Sequence, residues 1–387
     1  MDMNRRAFLK LSSFGAVMAA GGGSFAADQP APGAPGGEAI PKGVTPAYRT
    51  LGRTGMKITV IGVGALKTPD PAIFQAAFDR GVNYIDTARV YLNGRSEKLV
   101  GEALKGYRDK VYVATKIKPD TKDQMRALMK ESLSDLKVDY VDLMQLHDIS
   151  VKDGVYNKDY REVFAEAKKQ GLARFIGVTI HKNEAEVLDA VSQDPEKLYD
   201  TVLVTYNFKS NPGVKAAIER AAQAGIGIVA MKTQAGGYNS KEFGDIKPHQ
   251  AALKWVLQDK NVAAAIPGMD SLSHVVEDTA VMGMMQITQA DVETLKRYEV
   301  AIASYYCHRC DRCRETCPMR VNISEINRSL MYAEGGYNSL SLARATYREI
   351  PTAVSAAACV NCAQCAAACP HGLNIGERMR RAQALFA

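Results

Sequence analysis

Eight cysteines fall in two copies of one spacing, Cys307-x2-Cys310-x2-Cys313-x3-Cys317-Pro318 and Cys359-x2-Cys362-x2-Cys365-x3-Cys369-Pro370, and the rest of the 387-residue chain has none. Thiolates so spaced are ligands of 4Fe-4S clusters, and in chains with two such runs the fourth Cys of each run ligates the other cluster. The expectation is two clusters. Cys307, Cys310, Cys313 and Cys369 hold one; Cys359, Cys362, Cys365 and Cys317 hold the other. Such a chain moves single electrons. Four disulfides and bound zinc are the competing readings. Cysteines this close on one turn rarely reach disulfide geometry, and zinc rarely takes four cysteines from a run of this form.

A second group of reactive side chains, Asp86, Tyr91, Lys116 and His147, is spread over some 60 residues but recurs at one kind of place, the end of an apolar run. Eight such runs are strand-like: Ile58-Val63, Asn83-Asp86, Val111-Thr115, Tyr140-Leu146, Arg174-Thr179, Thr201-Tyr206, Gly227-Met231 and Val262-Ile266. Stretches of helical period lie between them, among them Ala72-Arg80, Ser96-Lys105, Asp123-Leu136, Val163-Lys169, Val214-Ala224 and Gln250-Gln258. Strand and helix alternating eight times in about 250 residues predict a closed (β/α)8 barrel rather than an open sheet. Gly62-Val63-Gly64 is no dinucleotide fingerprint; it reads as a tight turn. Barrels carry their chemistry at the C-terminal ends of the strands, so the four side chains converge on one mouth. Singly, each has a plainer reading: a solvated Lys, a structural His, a capping Asp. Together at neighbouring strand ends they are a candidate catalytic group.

The region from about Tyr48 to Ile302 resembles the aldo/keto reductase family. The resemblance rests on Tyr48-Arg49-Thr50-Leu51-Gly52-Arg53-Thr54-Gly55, Ile85-Asp86-Thr87-Ala88 with Tyr91, Asn93-Gly94-Arg95-Ser96-Glu97, Ala114-Thr115-Lys116, Asp142-Leu143-Met144-Gln145-Leu146-His147, Ile176-Gly177-Val178-Thr179, Tyr206-Asn207 and Ile266-Pro267-Gly268. It implies a catalytic tetrad of Asp86, Tyr91, Lys116 and His147. Tyr91 would give its phenolic proton to a carbonyl oxygen as hydride reaches the carbon, with His147 orienting the carbonyl. Lys116, held by Asp86, should lower the tyrosine pKa. The resemblance also implies NAD(P)H as cofactor, with Thr179, Asn207, Met231, Lys232, Pro267, Gly268, Glu277 and Asp278 as the residues nearest to it. Three departures bear on that cofactor. Met231 stands where an aromatic platform is usual, Leu203 where a Gln holds the carboxamide, and Gly268 and His274 where cations meet the 2'-phosphate of NADP, with Asp270 adding a negative charge. They argue against an NADP preference.

Between the cysteine runs, Ile323-Tyr332 and Leu340-Ile350 have helical spacing, so the C-terminal module resembles an α-helical ferredoxin, and Thr288-Ser304 is an amphipathic stretch leading into it. At the other end, Asn4-Arg5-Arg6-Ala7-Phe8-Leu9-Lys10 followed by a short apolar run and Ser24-Phe25-Ala26 resembles a twin-arginine export signal. The expected organisation is a signal over 1–27, a Pro-rich linker over 28–46, the barrel over 47–303 and the cluster module over 304–387. The expected location is periplasmic. No stretch reaches membrane-spanning length, and no basic stripe with interleaved aromatics points to nucleic acid. The net charge of +7 includes Arg5, Arg6 and Lys10 of the signal. His308, Arg309, Arg312 and Arg314 form a basic group beside the cluster ligands, either a docking patch for an acidic redox partner or solvated surface. The sequence as a whole reads as an exported oxidoreductase acting on a small carbonyl or alcohol and wired to a redox partner. The alternative is an electron carrier whose barrel is a non-catalytic scaffold.

Overall fold

The computed structural model describes residues 44–236, 247–362 and 364–386. The expected signal, nearly all of the linker and most of the loop from Gln234 to Lys247 lie outside the described residues. Residues 40–387 form one compact unit.

A short hairpin opens the described chain, β1 (Tyr48–Thr50) paired antiparallel with β2 (Lys57–Thr59). Eight parallel strands follow: β3 (Val63–Gly64), β4 (Tyr84–Asp86), β5 (Tyr112–Ile117), β6 (Val141–Leu146), β7 (Ala173–Ile180), β8 (Thr201–Thr205), β9 (Gly227–Met231) and β10 (Val262–Ala265). Each pairs with the next, and parallel bridges Ile61–Ala265 and Gly64–Gly268 join the first edge to the last, so the sheet curls shut as a (β/α)8 barrel. The first expected strand, Ile58-Val63, is corrected: its apolar residues straddle the end of the hairpin and the start of the barrel, because the chain bends at Val60 between them, and Val63-Gly64, expected as a tight turn, is the first barrel strand. The helix Glu184–Ser192 was not anticipated. Val187, Leu188, Ala190 and Val191 give it its buried face.

Local signals start the helices where the barrel needs them. The side chains of Asp70, Thr121, Asn157 and Asn211 accept backbone N–H groups at four helix N-termini, two of which also carry Pro in the first turn. Strands β6 and β9 are buried at every position, as a sheet covered on both faces requires. Inside the barrel, Tyr84, Ala114, Leu143, Val229, Ala264 and Ile266 pack on Leu51, Met56 and Ile58 of the hairpin region. The hairpin turn touches the barrel backbone there. Gly52 has a left-handed φ of 48°, and a Cβ on it would meet the Gly227 nitrogen at 2.3 Å.

The C-terminal module is helical, as expected, with helices Ile323–Ala333, Leu340–Arg348 and Ile375–Phe386; Ile326, Leu330, Met379 and Ala382 of the first and last, with Ile350 just after the second, pack around Cys313 and Cys317. None of the helices among the described residues is long and apolar enough to cross a membrane.

Candidate active site

Alternation along the strands decides which side chains reach the mouth. Strand β5 points Ala114 into the barrel, so Lys116 two residues on also points inward, and the same phase carries Tyr84 to Asp86 on β4 and Leu143 to Gln145 and His147 on β6. The Lys116 ammonium is fully buried. It donates to the Asp86 carboxylate, to the Thr87 carbonyl at 2.7 Å and to the Tyr91 hydroxyl at 3.2 Å. Gln145 donates to the other Asp86 oxygen at 2.8 Å. Tyr91 and His147 meet edge to face at 6.0 Å. The four tetrad residues expected from the sequence therefore come together in one place.

Tyr91 sits on a strained turn, for Leu92 and Asn93 after it have φ of 51° and 55°. The turn is held from behind. Arg89 reaches Glu97 and Asp135 at 2.6 Å each, and buried Glu97 accepts from Thr115 at 2.6 Å, beside Lys116 on β5. Glu97 and Gln145 are thus positioning residues that pattern reading left unassigned. Gln145 was findable, two residues before His147 on the inward face.

Electrostatics departs from expectation at one point. Burial pushes the Tyr91 phenol above its ordinary value, and the Lys116 ammonium only partly offsets this, so Tyr91 keeps its proton at neutral pH. Burial opposes the charge on Lys116, yet Asp86 and Tyr91 outweigh it and hold the ammonium above its usual range. Burial, reinforced by Lys116, lowers His147 well below the usual imidazole value, so its ring is neutral. His147 Nδ1 is buried without a hydrogen-bond partner in the protein.

Asp86, Tyr91 and His147 line the floor of a cleft of about 1060 Å³, counted with its open mouth, with Lys116 buried behind them. Barrel loops supply His181, Lys232 and Gly268, and the cluster module supplies the roof with Arg328, Tyr332 and Tyr337. The roof is fastened by polar contacts. Arg309, between Cys307 and Cys310, donates to the His181 carbonyl at 2.8 Å; Arg328 pairs with Asp148 at 3.0 Å; the Lys118–Glu349 pair closes at 2.5 Å; Lys182 pairs with Asp311. Gly236 allows close approach of the two modules, since a Cβ there would meet the Gly335 carbonyl at 3.0 Å. Arg309 therefore faces inward, also paired with Glu325, and is not part of a docking patch.

The cysteines fit iron–sulfur ligation. All eight are free thiols, and their mutual electrostatics sort them into two sets. Cys307 and Cys313 feel Cys310 and Cys369, whereas Cys359 feels Cys317, Cys362 and Cys365. That is the crossed arrangement expected from the spacing. Cys317, Cys359, Cys362 and Cys365 line one open cavity with Ile323, Ile375 and Met379. Among the described residues no three ligands close on a single ion.

Residues expected around a nicotinamide divide. Met231, Lys232, Pro267 and Gly268 line the cleft; Thr179, Asn207, Glu277 and Asp278 do not. Thr179 accepts from the Asp148 N–H at 2.8 Å, and Asn207 donates to the Lys232 carbonyl at 3.0 Å and to Tyr306, next to Cys307, at 3.2 Å. Asp278 is fully buried and accepts from Gln234 at 3.1 Å. Apolar Leu203 lines the cleft where a carboxamide partner would be needed, and Asp270 is ionised between Lys67 at 2.6 Å and His274 at 2.5 Å. These residues do not fit the usual NADP contacts.

Residues 70–246 match the aldo/keto reductase family and residues 306–373 the 4Fe-4S dicluster domain. The uncharacterized oxidoreductase YqkF of Bacillus subtilis is 32% identical over 148 residues, 34% of this chain and 48% of that protein. The chain therefore spans about half the length of that relative. L-galactose dehydrogenase of Arabidopsis thaliana is 26% identical over 306 residues, 66% of this chain and 93% of that protein. An aldo-keto reductase from Klebsiella pneumoniae, solved in complex with NADPH, superposes with a TM-score of 0.55 at 25% identity, over 66% of this chain and 95% of that one. With the tetrad at the strand ends and the thiols in two sets, this chain is similar to aldo/keto reductases over residues 70–246 and to a 4Fe-4S dicluster domain over residues 306–373.

Proposed function

We propose that this chain is an exported iron–sulfur oxidoreductase that interconverts a small carbonyl and its alcohol at the barrel mouth and exchanges the electrons through two 4Fe-4S clusters with a redox partner. The observation that carries the reading is the roof: the segment bearing Cys307 and Cys310 is bonded through Arg309 to His181, so the cluster module closes over an intact tetrad. In the reducing direction the substrate oxygen would accept hydrogen bonds from neutral His147 and protonated Tyr91, and Tyr91 would pass its proton to that oxygen. Lys116 would then stabilise the phenolate left behind. The conversion takes two electrons and two protons: the two clusters would pass one electron each, Tyr91 would supply the proton that joins the oxygen, and the second proton would reach the carbon from solvent in the cleft. Export by the twin-arginine route suits a protein whose clusters are inserted before translocation. It is supported by Arg5-Arg6-Ala7-Phe8-Leu9-Lys10. The division at residues 303 and 304 is part of the same proposal.

The test is anaerobic absorption and EPR spectroscopy of the mature protein against a panel of carbonyls and alcohols. Cluster signals should respond to at least one of them in the wild type and to none in Tyr91→Phe. Equal responses in both proteins would retire the tetrad and favour the carrier with a scaffold barrel. Arg5→Lys with Arg6→Lys should hold the protein in the cytoplasm, as fractionation would show.

A further inference from the structure

Four cations line the cleft, and three of them have carboxylates close by. Lys67 pairs with Asp270, Lys118 with Glu349, and Arg328 with Asp148 and Glu325. Among the described residues Lys232 has no such partner. Its ammonium reaches only the Tyr332 hydroxyl, at 3.5 Å, and lies 5.4 Å from that ring's centroid. Burial lowers its pKa, as it must for a desolvated cation. Its backbone is strained as well, with φ of 53°, and the Asn207 amide bonded to its carbonyl holds the turn. Arg328 and His181, which line the same space, each have a buried nitrogen without a hydrogen-bond partner in the protein, Arg328 Nε and His181 Nδ1. A buried donor without an acceptor is costly, so the arrangement persists at a standing cost to stability.

We infer that Lys232, Arg328 and Tyr332 form an anion subsite that receives the carboxylate of a hydroxy-acid or oxo-acid substrate. A carboxylate has two acceptor oxygens. One would meet the Lys232 ammonium and the other the Arg328 Nε–H, with the Tyr332 hydroxyl closing the ring of donors. The subsite shares one cleft with the reacting groups, since Lys232, Arg328 and Tyr332 line it together with Tyr91 and His147. An acid with its carboxylate at Lys232 would place its carbonyl in the same cleft as Tyr91 and His147. Two of the three residues come from the cluster module, so barrel and module read the substrate jointly. The inference rests on the mouth being the substrate site.

The test is calorimetric binding of oxamate, a carboxylate, and of oxamide, its uncharged amide, to the cluster-loaded full chain. Oxamate should bind the wild type and Lys232→Arg, and at least tenfold more weakly to Lys232→Met, a change of about 1.4 kcal/mol. Oxamide should bind wild type and Lys232→Met alike. Unchanged cluster absorption in each variant establishes that it is folded. The inference is overturned if oxamate binds no better than oxamide, or equally well to wild type and Lys232→Met. It is also overturned if inorganic pyrophosphate binds more than tenfold tighter than oxamate, which would assign the cations to a cofactor phosphate. Should oxamate behave as expected while Tyr91→Phe leaves turnover intact, the subsite stands and the proton-transfer reading falls.

Discussion

At the scale of single residues, the decisive balance is between burial and charge. Lys116 stays charged because Asp86 and Tyr91 surround it, and Tyr91 stays protonated because burial outweighs the ammonium beside it. A tyrosine in that state is a proton donor. Tyr91→Phe removes the proton and keeps the ring, so kcat should fall by about 10²–10⁴ while cluster absorption is unchanged, as steady-state kinetics and visible spectra would show. Tyr332 goes the other way. Burial opposes its ionisation, but Lys232 and Arg328 overcome that and bring the phenol down to about 8. Its folded value is then below the unfolded value of about 10, so ionisation favours the folded state. That stabilisation is complete above about pH 10 and is lost as pH falls through about 8. Tyrosinate absorbance should accordingly show a step near pH 8 in the wild type that is missing in Tyr332→Phe.

At the scale of elements, the helix Ile323–Ala333 joins the two halves of the chemistry. Its inner face packs on the cluster thiols through Ile326 and Leu330, while Arg328 and Tyr332 face the barrel mouth. Arg328 is the fastening, with Asp148 at 3.0 Å and Glu325 at 3.1 Å. Arg328→Met leaves two partly buried carboxylates short of a partner, which should cost about 1–3 kcal/mol and lower the thermal midpoint. Calorimetry would measure it. A variant that melts like the wild type would mean that the roof is held by its other contacts, among them Arg309 to His181, Lys118 to Glu349 and Lys182 to Asp311. Much of this scale was readable in advance. The expected Ile323-Tyr332 helix differs from the observed one by a single residue, because its apolar residues recur at helical spacing. The first barrel strand was not readable, since Ile58 to Val63 is one apolar run and only the closing bridges to Ala265 and Gly268 show where the hairpin ends and the barrel begins.

At the scale of the whole molecule, the crossed thiol sets make the two cysteine runs interdependent. Cys317 belongs to the first run by sequence but faces Cys359, Cys362 and Cys365. Cys317→Ser should therefore cost the cluster of the second run, halving the iron content and leaving the EPR signal of the first-run cluster in place. Loss of the first-run signal instead would show that each run holds its own cluster.

The sequence by itself determined the thiol spacing, the strand ends that carry Asp86, Lys116 and His147, and the helices between the cysteine runs. Each of these is a local pattern, set by the period of a strand or helix or by a run a dozen residues long. Only the tertiary structure decided that the cluster module roofs the barrel, that Arg309 turns inward, that Asn207 is committed to Lys232 and Tyr306, and that Tyr332 and Arg328 join the mouth. The contacts responsible link residues 128 and 180 positions apart, Arg309 to His181 and Arg328 to Asp148. Pairings at such separations leave no periodic trace in a chain, because either partner alone reads as an ordinary surface group, and only burial shows which of them meet.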